Sequence, residues 1–187
     1  MSMYTRFRFN DQTFAQVVRN PRKAHGGFFL SGWVIRECYG PDGVLKSRTA
    51  GSNLIVNTGI EHIMDVAMSG LAATATWYVG LKDTGSPAAG DTMASHSGWA
   101  TISPYSDATD PAWTEAGISS KVITNSASPA SFTCNATDTI FGAFLKDNNT
   151  VDSATGLLLG AEDFSASQAV TSGDTLNVTY QITGSSS

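Results

Sequence analysis

Between residues 175 and 183 the chain is apolar at every second position. Leu176, Val178, Tyr180 and Ile182 fall on one side of an extended backbone, which predicts a half-buried strand. Residues 139–145, TIFGAFL, are almost continuously apolar and predict a strand covered on both faces. Shorter runs at 76–81, 99–105, 112–116, 121–124, 131–135 and 156–159 are separated by turn-forming residues, with Phe164 at the exit of the last. Residues 28–44 read as a hairpin around Gly40-Pro41-Asp42-Gly43, and 44–49 and 53–56 continue as short strands. On its first strand Trp33, Ile35 and Tyr39 alternate as the expected buried face. Seven or more short strands at about ten-residue spacing predict a mainly β chain, an antiparallel β-sandwich or jelly-roll-like domain.

One segment follows another period. Ile60, Ile63, Met64, Ala67 and Met68 are spaced as a single helical stripe, which predicts a short amphipathic helix over 58–69 packed on the sheet. Thr58 and Glu61 have capping-box spacing, and Gly70 stands where a left-handed cap is expected. Glu61, His62 and Asp65 face away from the stripe. One histidine with a carboxylate makes no complete metal or acid–base site, so a solvated face is expected there. Residues 91–96, beginning at Asp91, have the form of a single capped turn.

Composition and charge add an organisation to this pattern. Only 14% of the 187 residues are charged, and 18 are glycine, as suits strands joined by tight turns. No apolar run approaches the ~20 residues of a membrane helix, and no apolar stretch follows Arg6 and Arg8 as a secretory leader requires. Residues 1–48 carry eight basic against three acidic side chains, whereas the remainder carries three lysines against thirteen acids. The expected layout is an extended N-terminal arm (1–27), a β-rich domain (28–183, with a hairpin at 28–52) and a short tail (184–187).

The arm holds the candidate binding residues. Tyr4, Phe7, Phe9 and Phe14 alternate with Arg6 and Arg8, and Arg19, Arg22 and Lys23 follow. Aromatics with arginine anchor protein interfaces and also stack on nucleic-acid bases. The acidic remainder would be repelled by a polyanion, which favours a protein partner over nucleic acid; a first strand of the domain's own sheet is the alternative for this segment. Elsewhere the candidate chemistry is thin. His96 has Ser95 and Ser97 beside it but no nucleophile elbow. Asp83, Asp91, Asp107, Asp110 and Glu115 lack calcium-loop spacing. Trp99, Tyr105 and Trp113 would suit a glycan platform only if their rings were exposed. Cys38 and Cys134 have no CxxC partner, leaving buried thiols or a mutual disulfide. No catalytic, cofactor or metal residue is assigned.

In the segments NLIVNTGIEHIMDVAMSG, TWYVGLKDTGSPAAGDTMASHSGW, PAWTEAGISSKVITNSASPASFTCNATDTIFGAFLKD and DFSASQAVTSGDTLNVTY, covering about residues 53–182, the chain resembles a family of small tailed-bacteriophage virion proteins. The resemblance implies a non-enzymatic head decoration (cement) protein, with a tail or fibre component bearing a glycan- or host-binding domain as the alternative. It implies the major capsid protein and neighbouring copies, as dimers or trimers, as partners, with no membrane and no nucleic acid bound. The expected location is the capsid surface of a virion made in the bacterial cytoplasm.

Overall fold

A computed structural model describes residues 28–186. The chain divides into two units, Leu30–Thr183 and Met1–Phe29 with Gly184–Ser187, and the sandwich belongs to the first. Its strands are β1 (Phe28–Tyr39), β2 (Leu45–Ile55), β3 (Tyr78–Gly85), β4 (Trp99–Ile102), β5 (Ala116–Ser119), β6 (Val122–Thr124), β7 (Ala130–Thr133), β8 (Asp138–Lys146), β9 (Leu158–Val170) and β10 (Thr175–Ser186). They pair in the order β4-β3-β8-β9-β2-β1-β10-β6-β5, with β7 also on β10. Among the described residues the architecture is a mainly β, antiparallel, sandwich-like fold with one short helix.

β2 joins the two halves. Its first part pairs with β1, from Tyr39↔Leu45 to Gly32↔Asn53. Its last two residues leave β1 and pair with β9 instead, at Leu54↔Ala161 and Ile55↔Gly160. A core of Val34, Cys38, Leu81, Phe132, Leu145, Leu176, Val178 and Tyr180 fills the space between the halves. Phe144, Leu158 and Ala161 form a second cluster with Val56, Met93 and Trp99. The alternation of β10 holds, since Leu176, Val178, Tyr180 and Ile182 are all buried.

The phase of β1 is opposite to the expected one. Val34, Arg36 and Cys38 are buried, whereas Trp33 is half exposed. A strand flips all its side chains when its phase shifts by one residue, so the most apolar ring need not mark the inner face. Arg36 is tolerated inside because its donors are occupied. Its guanidinium donates to Thr49 Oγ1 (3.0 and 3.2 Å), to Ser47 Oγ (3.0 Å) and to Gln168 Oε1, and lies over the Phe164 ring. Burial lowers its pKa from the ordinary value.

Several boundaries also move. β2 is one strand of 11 residues through the expected break at residues 50–52. β9 runs for 13 residues, well past the expected exit at Phe164. β3 continues through Lys82–Gly85, which reads as loop. β10 extends to Ser186, so Gly184–Ser186 are strand rather than tail. Residues 112–115 form no strand beyond an isolated bridge from Ala112 to Tyr78, and the strand expected there starts only at Ala116, as β5. Asp91 caps no helical turn; its carboxylate accepts from Ala88 N (2.8 Å) and Trp99 Nε1 (2.9 Å).

The helix α1 (Asn57–Met64) continues into a π-helical turn (Asp65–Ser69), close to the expected span. Gly70 caps it with φ 76°, as the left-handed cap requires. The capping box does not form. Val56 is the N-cap, and Thr58 Oγ1 donates to Leu158 O (3.1 Å), so the threonine fastens the helix to β9. The apolar stripe is also not the buried face. Gly59 is the buried residue of α1, and a Cβ there would overlap the Leu159 carbonyl. Backbone-to-backbone approach at this glycine decides which side of the helix meets the sheet. Ile63 turns inward against the core, and Ile60, Met64 and Met68 turn outward.

Candidate docking surface

The groups able to do chemistry are mostly committed inside. Asp110 Oδ2 lies 2.7 Å from Lys146 Nζ with both side chains buried, and Tyr105 Oη donates to Asp110 Oδ1. Lys146 also donates to Thr150 O at 2.6 Å. Burial and this bond hold the Tyr105 hydroxyl far above its ordinary pKa, so it remains a neutral donor. Lys82 is fully buried and donates to Asp163 Oδ1 and to the carbonyls of Asp83 and Gly85. These sets satisfy buried charge, and among the described residues no three His, Cys, Asp or Glu side chains gather as metal ligands.

The sequence candidates are scattered. His62 is half buried, shares a hydrogen bond with Thr74 Oγ1 (3.0 Å) and meets the edge of Trp77, so its side of α1 is not simply a solvated face. His96 stacks on Trp99 with its Nδ1 on the Trp99 carbonyl. The groove beside it, about 490 Å³, is lined by Ser95, Ser97, Thr101 and Asp152, with no base held against a nucleophile. Trp99, Tyr105 and Trp113 are buried, which removes the glycan platform they would have formed. Cys38 and Cys134 are buried free thiols rather than a disulfide. The arm residues Tyr4, Arg6, Phe7, Arg8, Phe9, Phe14, Arg19, Arg22 and Lys23 lie outside the described residues.

The domain also presents large apolar side chains outward. Along α1 and its π-helical continuation, Ile60 is 40%, Met64 53% and Met68 81% exposed at spacings of four residues, and Leu71, just past the Gly70 cap, is 49% exposed. Glu61 and Asp65 flank this stripe, and no lysine or arginine occurs from residue 53 to residue 81. A second outward group lies on the β1–β2 face. There Trp33, half exposed, stands opposite Ser52, and Ile35 opposite Ala50. Sequence reading assigned both groups to the core because period reports that a face is apolar without saying what covers it. The interior glycine at position 59 was the available signal for the helix.

Covering the Ile60, Met64, Met68 and Leu71 side chains would yield about 3–7 kcal/mol gross, at about 1.5–3 kcal/mol per fully buried side chain scaled by the exposure of each. That is comparable to the lower bound on the cost of immobilising one protein on another. The stripe alone therefore supports an auxiliary contact, effective when a second attachment or a repeating lattice raises the local concentration.

No family model matches the chain, and no curated protein matches it.

Proposed function

We propose that the chain is a non-enzymatic structural component of a tailed-bacteriophage particle, a decoration protein that binds the outer surface of the assembled head and strengthens the joints between capsid subunits. The observation that carries this reading is the exposed Ile60-Met64-Met68-Leu71 stripe on a domain whose ionisable clusters are spent on internal pairing. Such a domain has apolar surface available for docking. Residues 1–27 supply the second attachment, with aromatic rings for the capsid surface and an excess of arginine for acidic groups on it. The acidic remainder of the chain then faces solvent. The major capsid protein is the partner, and neighbouring copies group as dimers or trimers at the lattice axes. Many weak attachments stabilise the shell by mass action on the assembled state.

The test is co-sedimentation with heads that lack the protein. Full-length chain is expected to saturate a fixed number of sites per head, whereas a chain without residues 1–27 is expected to stay folded and remain in the supernatant. Truncated chain pelleting at full occupancy would remove the arm from the proposal. Absence of full-length chain from heads, with labelling of tails in particle images, would replace head decoration by a tail or fibre role.

A further inference from the structure

Glu162 is a carboxylic acid placed where water does not reach. It is 1% exposed, and neither carboxyl oxygen has a hydrogen-bond partner. Its register partner on β8 is Ala143, a residue of the main core, so its side chain points between the two halves of the sandwich. Space for it comes from the opposite strand: a Cβ on Gly51 of β2 would overlap Glu162 Oε1. The next inward residue of β2 is Asn53, whose Oδ1 accepts from the buried Tyr180 hydroxyl and whose Nδ2 has no partner. Asn53 is itself housed by glycines, since Cβ atoms at Gly32 and Gly160 would come within 2.6 and 2.8 Å of it.

This pocket of under-satisfied polar groups coincides with the joint of the fold. Immediately after Asn53, β2 leaves β1 and makes its two register pairs with β9, at Ala161 and Gly160 beside Glu162. The ionisable groups around Glu162 are Asp163 on its own strand, Tyr180 from β10 and Lys82 from β3. Lys82 is committed to Asp163 and two carbonyls. Among the described residues no cation is paired with Glu162 to hold it as a carboxylate, and an unpaired buried charge is among the costliest groups a core can carry.

We propose that Glu162 is a pH-responsive latch at the junction of the two sheets: neutral, it seats under Gly51 between β2 and β9, and once ionised it loosens that pairing. Burial, with Asp163 beside it, pushes its pKa up to about 8, so the seated form prevails at neutral pH and is lost just above it. The sign follows from linkage. Between the ordinary glutamate value and about 8 the folded chain holds a proton that the unfolded chain has released, so stability falls as pH rises.

The experiment compares full-length wild type with E162Q, whose amide copies the shape of the neutral acid and does not titrate. From pH 5 to pH 8 the wild-type folding constant is expected to fall on the order of a hundredfold more than that of E162Q. Amide exchange at Val56, whose N–H bonds Leu159 O at 3.1 Å across the same joint, is expected to accelerate with pH in wild type relative to E162Q before the amides between β3 and β8 do. Carbon-13 titration of the Glu162 carboxyl in wild type gives a reading independent of whether the variant folds, with a midpoint expected near 8. A midpoint in the ordinary carboxylate range, or equal pH slopes for the two proteins, would overturn the proposal.

Discussion

Lys146 Nζ lies 2.7 Å from Asp110 Oδ2 with both side chains out of solvent, and the pair ties the end of β8 to the segment before Trp113. Its energy is best seen by breaking it. K146M would leave Asp110 buried with Tyr105 as its one remaining donor, and the usual cost of orphaning such a charge is about 3–5 kcal/mol. D110N/K146M is neutral and still accepts from Tyr105, so it is expected to recover at least half of that loss. Urea denaturation of the two variants checks the order. Equal stabilities would mean that the methionine cavity, rather than the orphaned carboxylate, sets the cost.

Gly59 sets two effects of opposite sign against each other. In a helix interior, glycine to alanine ordinarily stabilises by about 1 kcal/mol. Here the new Cβ would overlap the Leu159 carbonyl, and overpacking against backbone typically costs about 1–3 kcal/mol. The packing term is expected to win, so G59A should melt below wild type, as calorimetry would show. A raised melting temperature would mean that α1 does not press its backbone on β9.

Those two positions show how far the residues alone could be read. The mainly β, antiparallel class, the β10 face, the core strand at Thr139–Leu145 and the Gly70 cap follow from local rules, because period, turn residues and left-handed glycines act within a few residues. What covers a face does not. Trp33 and the Met64–Met68 stripe look like core by period, yet Arg36 takes the inner position on β1 and Gly59 the inner position on α1. Arg36 is admissible only because Thr49, Ser47 and Gln168 arrive from elsewhere in the chain. Glu162 gives no sequence signal at all. Its interest depends on Gly51 lying opposite it, a relationship between strands more than a hundred residues apart.

The acid limb of stability is expected to come from Asp174, with the opposite sign to Glu162. Burial would raise its pKa, but Lys46 Nζ at 2.6 Å and donation from Thr171 N at 2.9 Å outweigh that and hold it below the ordinary value. A group lowered on folding contributes stability above its unfolded pKa and loses it as pH falls through the folded one. D174N should therefore be less stable than wild type at pH 6, with the gap closing below about pH 4. Denaturation midpoints across that range check it; a constant gap would assign the effect to shape instead of charge.

Cys38 and Cys134 should be inert in the native chain. Both are buried, and burial raises both thiols, Cys134 to about 11, so little of the reactive thiolate exists at pH 8. A chromogenic disulfide reagent is expected to react with neither until urea unfolds the protein, and then with two thiols per chain. One equivalent reacting rapidly under native conditions would contradict the packed position of that cysteine.

The outward stripe of α1 gives the prediction that joins structure to function. Met64 and Met68 are more than half exposed, so lysine at either position deletes little buried area, and exposed substitutions usually move stability by about 0.5 kcal/mol or less. M64K/M68K should thus melt like wild type. If the stripe docks on the head, the double variant places two charges in a contact that must dry, at about 1 kcal/mol or more each, and occupancy at limiting concentration should fall at least tenfold. Paired melting and co-sedimentation measurements separate the outcomes. Unchanged melting with lost binding supports the docking role, whereas unchanged melting with unchanged binding would leave attachment to residues 1–27 and make the stripe incidental.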